Sequence, residues 1–169
     1  MEKTLSVLNS MVQDGVLKQY AIGGAVAAIF YVEPINTNDL DVFFSVAGDE
    51  TDLAILAPLY QYLGNRGYKI QGETIDIEGW PVQFLPAFNA LLNEGLNRAR
   101  EIEFNETVTR VMRAEHLVAI MLQTGRLKDL ARVQQFLEHE AVDETKLRDV
   151  LTRHGLTDKW SAFKQQREL

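Results

Sequence analysis

Two short runs carry residue types that could do chemistry. Tyr20-Ala21-Ile22 ends in Gly23-Gly24, and fifteen residues after Gly24 comes Asp39-Leu40-Asp41. A strand that stops at two glycines and turns into a helix offers backbone N–H groups at the positive end of the helix dipole, and glycines lacking Cβ let a phosphate come close. The segment 39–46 reads as a strand whose first half alternates. Alternation puts Asp39 and Asp41 on one face and Leu40 and Val42 on the other. Two carboxylates on one surface can hold a divalent cation through oxygen. Such a cation neutralises charge on a triphosphate and aligns an attacking oxygen for in-line displacement. Each run alone has a plainer explanation: a tight turn for the glycines, a solvated strand face or a cap for the acids. Order and spacing join them, because fifteen residues suffice for two helical turns and a loop that returns the second strand beside the first.

The elements that must position these residues follow from periodicity. Leu5, Leu8, Met11 and Val12 recur at helical spacing and predict an amphipathic helix from about residue 3 to 13, with Gly15 near its end. Ala25 to Tyr31 reads as a buried helix ended by Pro34, and 35–38 as a polar loop. Residues 51 to 62 carry Leu53, Leu56, Leu59 and Tyr60 on a helical pattern, with Pro58 marking a kink or a late start and Gly64 to Gly67 closing it. Residues 68–78 and 82–85 read as two strands of a hairpin turning at Glu78-Gly79-Trp80-Pro81. A short helix is expected near 87–92, and two short edge strands at 101–104 and 108–111. From Ala114 the pattern is helical: 114–124, then 127–138 with an apolar stripe of Leu127, Leu130, Val133 and Leu137, then 144–153 and 158–166, with breaks at Gly125 and Gly155. The sum is an α+β fold. A mixed sheet with helices on one face occupies residues 1–113, and a C-terminal helical region, 114–169, packs on that core.

Composition narrows the chemistry. There is no cysteine among the 169 residues, which excludes a disulfide framework, a thiolate zinc site and a cysteine nucleophile. No apolar run is long enough for a membrane span and the N-terminus does not lead into a secretion signal, so no membrane partner is expected and a cytoplasmic location is. A formal charge of −7 argues against strong non-specific nucleic-acid binding. Positive charge is nevertheless gathered locally, with Arg98, Arg100, Arg110, Arg113, Arg126, Lys128 and Arg132 inside 35 residues. His116, His139 and His154 are too scattered for a short metal motif and read as structural or exposed. No serine stands in a Gly-x-Ser-x-Gly elbow. Trp80 reads as a hairpin anchor, and Trp160 with Phe163 as the seam of the last helix.

Ile22-Gly23-Gly24-Ala25 followed by Thr37-Asn38-Asp39-Leu40-Asp41-Val42-Phe43 resembles the signature of the minimal nucleotidyltransferases of the polymerase β superfamily, including AbiEii-type toxins. Glu115-His116-Leu117-Val118-Ala119-Ile120 with Gly125-Arg126-Leu127-Lys128-Asp129 is similar to the helical region of those proteins. There a Lys-Asp pair lies near the nucleotide. The matches span about Tyr20 to Leu137. The resemblance implies that Gly23, Gly24 and Lys128 hold a nucleoside triphosphate and that Asp39 and Asp41 bind Mg²⁺ and carry the catalysis.

It also implies transfer of a nucleoside monophosphate to a hydroxyl on protein, RNA or a small molecule. One position departs from the pattern. Active members take a third carboxylate from a neighbouring strand, where this chain has Gln83. An amide can ligate through oxygen but brings no charge and cannot be a base at neutral pH. Asp76 or Glu78 on the preceding strand are the possible substitutes. Arg126 and Arg132 could join Lys128 on phosphate, although charges on an amphipathic helix are ordinarily solvated. The alternative function is a catalytically degenerate nucleotidyltransferase-like binding protein, and the AbiEii resemblance adds one half of a toxin-antitoxin pair.

Overall fold

The computed structural model describes residues 1–32, 37, 39–47 and 55–167. The helix end expected at Pro34, most of the 35–38 loop and the expected helix start at Thr51 with Leu53 lie outside the described residues.

Helix α1 (Glu2–Gln13) leads into β1 (Gln19–Ile22). Next come α2 (Gly24–Ala28) and β2 (Leu40–Ser45). Helix α2 is shorter than the expected 25–31: the helix stops at Ala28, and Ile29 and Phe30 stand 40% and 36% exposed. Helix α3 (Leu56–Asn65) holds Pro58 in its first turn, where the missing N–H has no helical partner to lose, and runs on through Gly64.

The stretch expected as one strand over 68–78 is two, β3 (Ile70–Gln71) and β4 (Thr74–Ile77), and β4 joins β5 (Trp80–Pro86). Glu78 and Gly79 both have positive φ, the two-residue turn that matches strand twist, so Trp80 already pairs with Ile77. The next helix, α4 (Ala90–Asn97), begins later than expected because the Asn89 side chain accepts from Leu92 N at 2.8 Å and fixes the N-terminus there.

Strands β6 (Arg100–Phe104) and β7 (Thr107–Val111) follow, then α5 (Ala114–Thr124), α6 (Leu127–Glu138), α7 (Glu144–Arg153) and α8 (Thr157–Gln166). Sheet order is β3-β4-β5-β2-β1-β7-β6, with β2–β5 and β1–β7 parallel and the other pairs antiparallel. The mixed sheet of an α+β chain is therefore present, with seven strands and eight helices among the described residues. Of the two strands expected at an edge, only β6 is one; β7 is interior because it pairs with β1.

Register divides the side chains between two faces. Tyr20 pairs with Phe44 and Ile22 with Val42, and Leu40, Val42 and Phe44 are fully buried on that face. Helix α1 covers it, with the Tyr20 hydroxyl donating to Asn9 Oδ1 at 2.8 Å. Asp41 and Phe43 emerge on the opposite face beside Gln83 and Leu85. Helix α4 lies on this second face, where Arg110 donates to the Leu96 carbonyl at 3.0 Å. The helices are thus divided between the two faces, and the Asp-Leu-Asp alternation decides which face holds the acids.

The C-terminal helices pack on α2 and α4 through α5. Helix α6 buries most of the expected stripe, with Val133 fully buried and Leu130 and Leu137 half-buried against the core, but Leu127 is 87% exposed and Asp129 and Phe136 are buried instead. The reason is the ion pairing of Asp129 described below.

Glu94 on α4 ties α5 and α7 to the core. Its carboxylate meets Arg153 Nη2 at 2.5 Å, His154 Nε2 at 2.7 Å and His116 Nε2 at 3.2 Å. The hydrogen bond from Arg153, with those from His154 and His116, holds it down from 4.5 to about 2 against the opposing effect of burial. A depressed carboxylate stabilises the fold above its unfolded value near 4.5, and that contribution drains away as pH falls toward 2. Glu94→Gln is therefore expected to cost about 1–2 kcal/mol at pH 7 after allowing for the partly exposed Arg153. Thermal melts of variant and wild type should separate at pH 7 and draw together as pH falls toward 2.

Candidate active site

Asp41 stands on β2 facing away from α1, and Asp39 immediately precedes the strand. Thr37 Oγ1 donates to Asp39 Oδ1 at 3.0 Å and holds that carboxylate in place. Burial, and after it the charge of Asp39, push the Asp41 carboxyl up from 3.8 to about 6, while Arg126, Arg132 and Lys128 pull the other way. The acids are close enough to repel each other and close enough to the α6 cations to feel them.

Both glycines are required by β2. A Cβ at Gly23 would overlap the Phe43 ring edge, and the Gly23 N–H donates to the Asp41 carbonyl at 2.9 Å. A Cβ at Gly24, whose φ is +56°, would overlap Asp41 Oδ2 and sit 2.7 Å from Asp41 Cγ. With only five residues, α2 has a weak dipole, and one of the two glycine amides is already spent on the sheet. What the turn contributes is room for the Asp41 carboxylate.

A cavity of about 320 Å³ brings the expected residues together. Gly24, Asp39, Asp41 and Gln83 line one side and Arg126, Lys128, Asp129 and Arg132 another, while Gly23 lies outside the lining. Gln83 is paired directly with Asp41 across the parallel β2–β5 ladder, so the two side chains share a face.

Asp76 and Glu78 do not fill the third-acid position. The Asp76 carboxylate accepts from Gly79 N and closes the hairpin turn, and Glu78 accepts from the Tyr68 hydroxyl. The acid that reaches Gln83 is Glu73, which accepts from Gln83 Nε2 at 3.3 Å. Sequence reasoning had no signal for it, because Glu73 comes to Gln83 through the β3–β4 turn. Among the described residues no three His, Asp, Glu or Cys side chains form a metal cluster. The donor set is two carboxylates and an amide.

That set still suits a hard cation. All its donors are oxygens, which Mg²⁺ and Mn²⁺ prefer. The Asp39 charge works against ionisation of Asp41, and a cation held by the two carboxylates would offset that repulsion. The cradle left by the missing Cβ of Gly24 keeps Asp41 Oδ2 accessible.

The cationic wall is built around a buried acid. Asp129 is only 2% exposed, a costly place for a carboxylate unless it is paired. Arg126 Nε donates to it at 2.6 Å and Nη2 at 3.3 Å, and Arg132 Nη1 lies 3.7 Å away. The bond to Asp129 raises the Arg126 pKa further. Asp129 thereby turns inward and orients two guanidiniums along the cavity, while Lys128 projects beside them as a point charge. The remaining lining is mainly apolar, drawn largely from β5, α4 and α5, with Thr37, Asn89, Gln123 and Thr124 set among it, and it includes Phe88, whose ring is exposed. Neither Phe88 nor Gln123 was expected as a site residue, because neither stands in a recognisable motif.

No family model matches the chain, and no curated protein matches it. Solved structures do. The solution structure of the antibiotic-resistance factor ANT(2'')-Ia superposes with a TM-score of 0.55 at 12% identity, covering 98% of this chain and 95% of that one. An antigenic nucleotidyltransferase-like protein from Paracoccidioides brasiliensis superposes with a TM-score of 0.54 at 13% identity, covering 96% and 92%. The class defined by fold is thus the nucleotidyltransferase fold, over nearly the whole length of the chain. At 12–13% identity the likeness speaks to architecture, and chemistry must be argued from the residues.

Proposed function

We propose that this chain binds a nucleoside triphosphate with a divalent cation and transfers the nucleoside monophosphate to a hydroxyl. The observation that carries the reading is the cavity with Asp39, Asp41 and Gln83 on one side and Arg126, Lys128 and Arg132 on the other. Asp39 and Asp41 would hold the cation, and Arg126, Lys128 and Arg132 would hold phosphate. When bound, the cation neutralises phosphate charge and orients the reacting oxygens. Arg126 and Arg132, fixed by Asp129, offer guanidinium donors to the leaving pyrophosphate.

Isothermal titration with ATP, GTP, CTP and UTP in the presence of Mg²⁺ is expected to show binding of at least one. No binding to any of them would end this reading.

A second reading is supported by the Asp41–Gln83 pairing: a domain of this fold that binds nucleotide without turning it over. Incubation with labelled nucleotide and cell lysate separates the two, since a transferred label appears only with the active protein. If the domain is inactive for want of a third acid, Gln83→Asp is expected to create transfer. The toxin role rests on the sequence resemblance to AbiEii-type proteins, and growth arrest on induced expression, relieved by a neighbouring gene, is its test.

A further inference from the structure

The apolar end of the cavity has no task in cation or phosphate binding. We infer that it is a nucleobase subsite in which Phe88 is the stacking platform; this rests on the nucleotide-binding reading above and adds to it the part of the substrate that the charged end does not touch. The ring of Phe88 is 82% exposed while it lines the same cavity as the acids and the cations. An exposed large aromatic is ordinary on a floppy loop, but this one is held. Ala87 N donates to the Phe44 carbonyl, Phe88 N donates to the Pro86 carbonyl, and Asn93 Nδ2 donates to the Ala87 carbonyl at 2.7 Å. One residue later Asn89 caps α4. The ring is therefore presented to solvent by a pinned backbone, the arrangement that lets a flat π face be covered with little ordering cost.

Behind it Leu85, Leu92, Leu117, Ile120 and Met121 form an apolar wall that can take the other surfaces of a base. Asn89, Gln123 and Thr124 bring polar groups to this wall. Gln123 Oε1 accepts from Asn89 Nδ2 at 3.2 Å, which fixes which end of the amide is the donor, so Nε2 can donate to an acceptor on a base edge. The charged end fixes one pole of a nucleotide and the apolar end lies next to it in the same cavity. The occupant that combines an anionic chain with a flat aromatic group is a nucleoside triphosphate.

The test compares Mg²⁺-tripolyphosphate with the four Mg²⁺-nucleoside triphosphates by titration, on wild type, Phe88→Ala, Phe88→Trp and Gln123→Leu. Wild type is expected to bind at least one nucleoside triphosphate about tenfold tighter than tripolyphosphate, the scale of one base stacked on one aromatic. Phe88→Ala should lose that advantage and keep its tripolyphosphate affinity, and Phe88→Trp should retain it, with tryptophan emission quenched by the nucleotide and not by tripolyphosphate. Gln123→Leu should alter the ranking of the four bases while tripolyphosphate binds as before. Since Phe88 is exposed, all Phe88 variants should melt with the wild type. Nucleotides bound no tighter than tripolyphosphate, or Phe88→Ala weakening both ligands equally, overturns the base subsite and leaves phosphate binding standing. Binding of neither ligand overturns both readings together.

Discussion

Asp41→Asn is expected to abolish magnesium-dependent nucleotide binding and at the same time to make the protein more stable. The two effects have one origin. Burial and the neighbouring Asp39 charge push the Asp41 carboxyl up to about 6, so at neutral pH its ionised form is held against a cost. The sign is the reverse of an ordinary ion-paired acid. With a folded value above the unfolded one, the folded state takes the proton more readily, and stability falls as pH rises from about 4 through 6. About 1–3 kcal/mol is stored in this way, and a neutral amide of the same shape releases it. A melting temperature higher by a few degrees at pH 7.5, with the gain vanishing near pH 4, is the expected calorimetric result.

Binding moves the other way. An amide brings one oxygen and no charge, so affinity for the Mg²⁺-nucleotide should drop by at least about 100-fold. In the wild type that affinity should strengthen as pH rises through about 6, because only the ionised carboxylate ligates. An Asp41→Asn protein that melted below the wild type, or that bound Mg²⁺-nucleotide equally well, would remove Asp41 from the cation site.

How much of this could be read from residues alone depended on whether the determining contact was local. The strand alternation that aims Asp39 and Asp41 at one face is a property of consecutive residues, and Leu40 and Val42 are buried opposite as alternation requires. Gln83 was legible as a departure because the nucleotidyltransferase resemblance implies a third carboxylate on that strand, and the register sets it opposite Asp41. Long-range partners were not legible. The stripe on α6 holds at Leu130, Val133 and Leu137 and fails at Leu127: an apolar count ranks Leu127 above Asp129, whereas two guanidiniums offset the cost of burying the carboxylate and Leu127 stays in solvent. Strand β7 was taken for an edge because its parallel pairing with β1 spans most of the core in sequence. Phe88 carries no sequence mark at all, since only the hydrogen bonds that pin residues 87–93 distinguish a presented ring from a buried one.

Gly24→Ala carries the second large expectation, and a double-mutant cycle with Asp41→Ala shows why. The added methyl meets two separable penalties. The first is conformational: at a φ of +56° an L residue costs about 1–2 kcal/mol in any surroundings. The second is steric and specific, since the methyl overlaps Asp41 Oδ2 and crowds Cγ, and clearing it forces the carboxylate out of its place. Overpacking of this kind costs about 1–3 kcal/mol, so the single variant should lose about 2–5 kcal/mol in urea unfolding. In an Asp41→Ala background the carboxylate is gone, and the same substitution should cost only the conformational part. A coupling energy of about 1–3 kcal/mol between the two positions is the expected result. Additive effects would mean that the carboxylate swings clear at no cost and that Gly24 is a glycine for its turn alone. Gly23→Ala gives the internal comparison. Its methyl would strike the Phe43 ring instead, so its cost should persist in the Asp41→Ala background. The two glycines then separate by what they make room for: Gly23 for the packing of β2 on the turn, and Gly24 for the Asp41 carboxylate that lines the cavity.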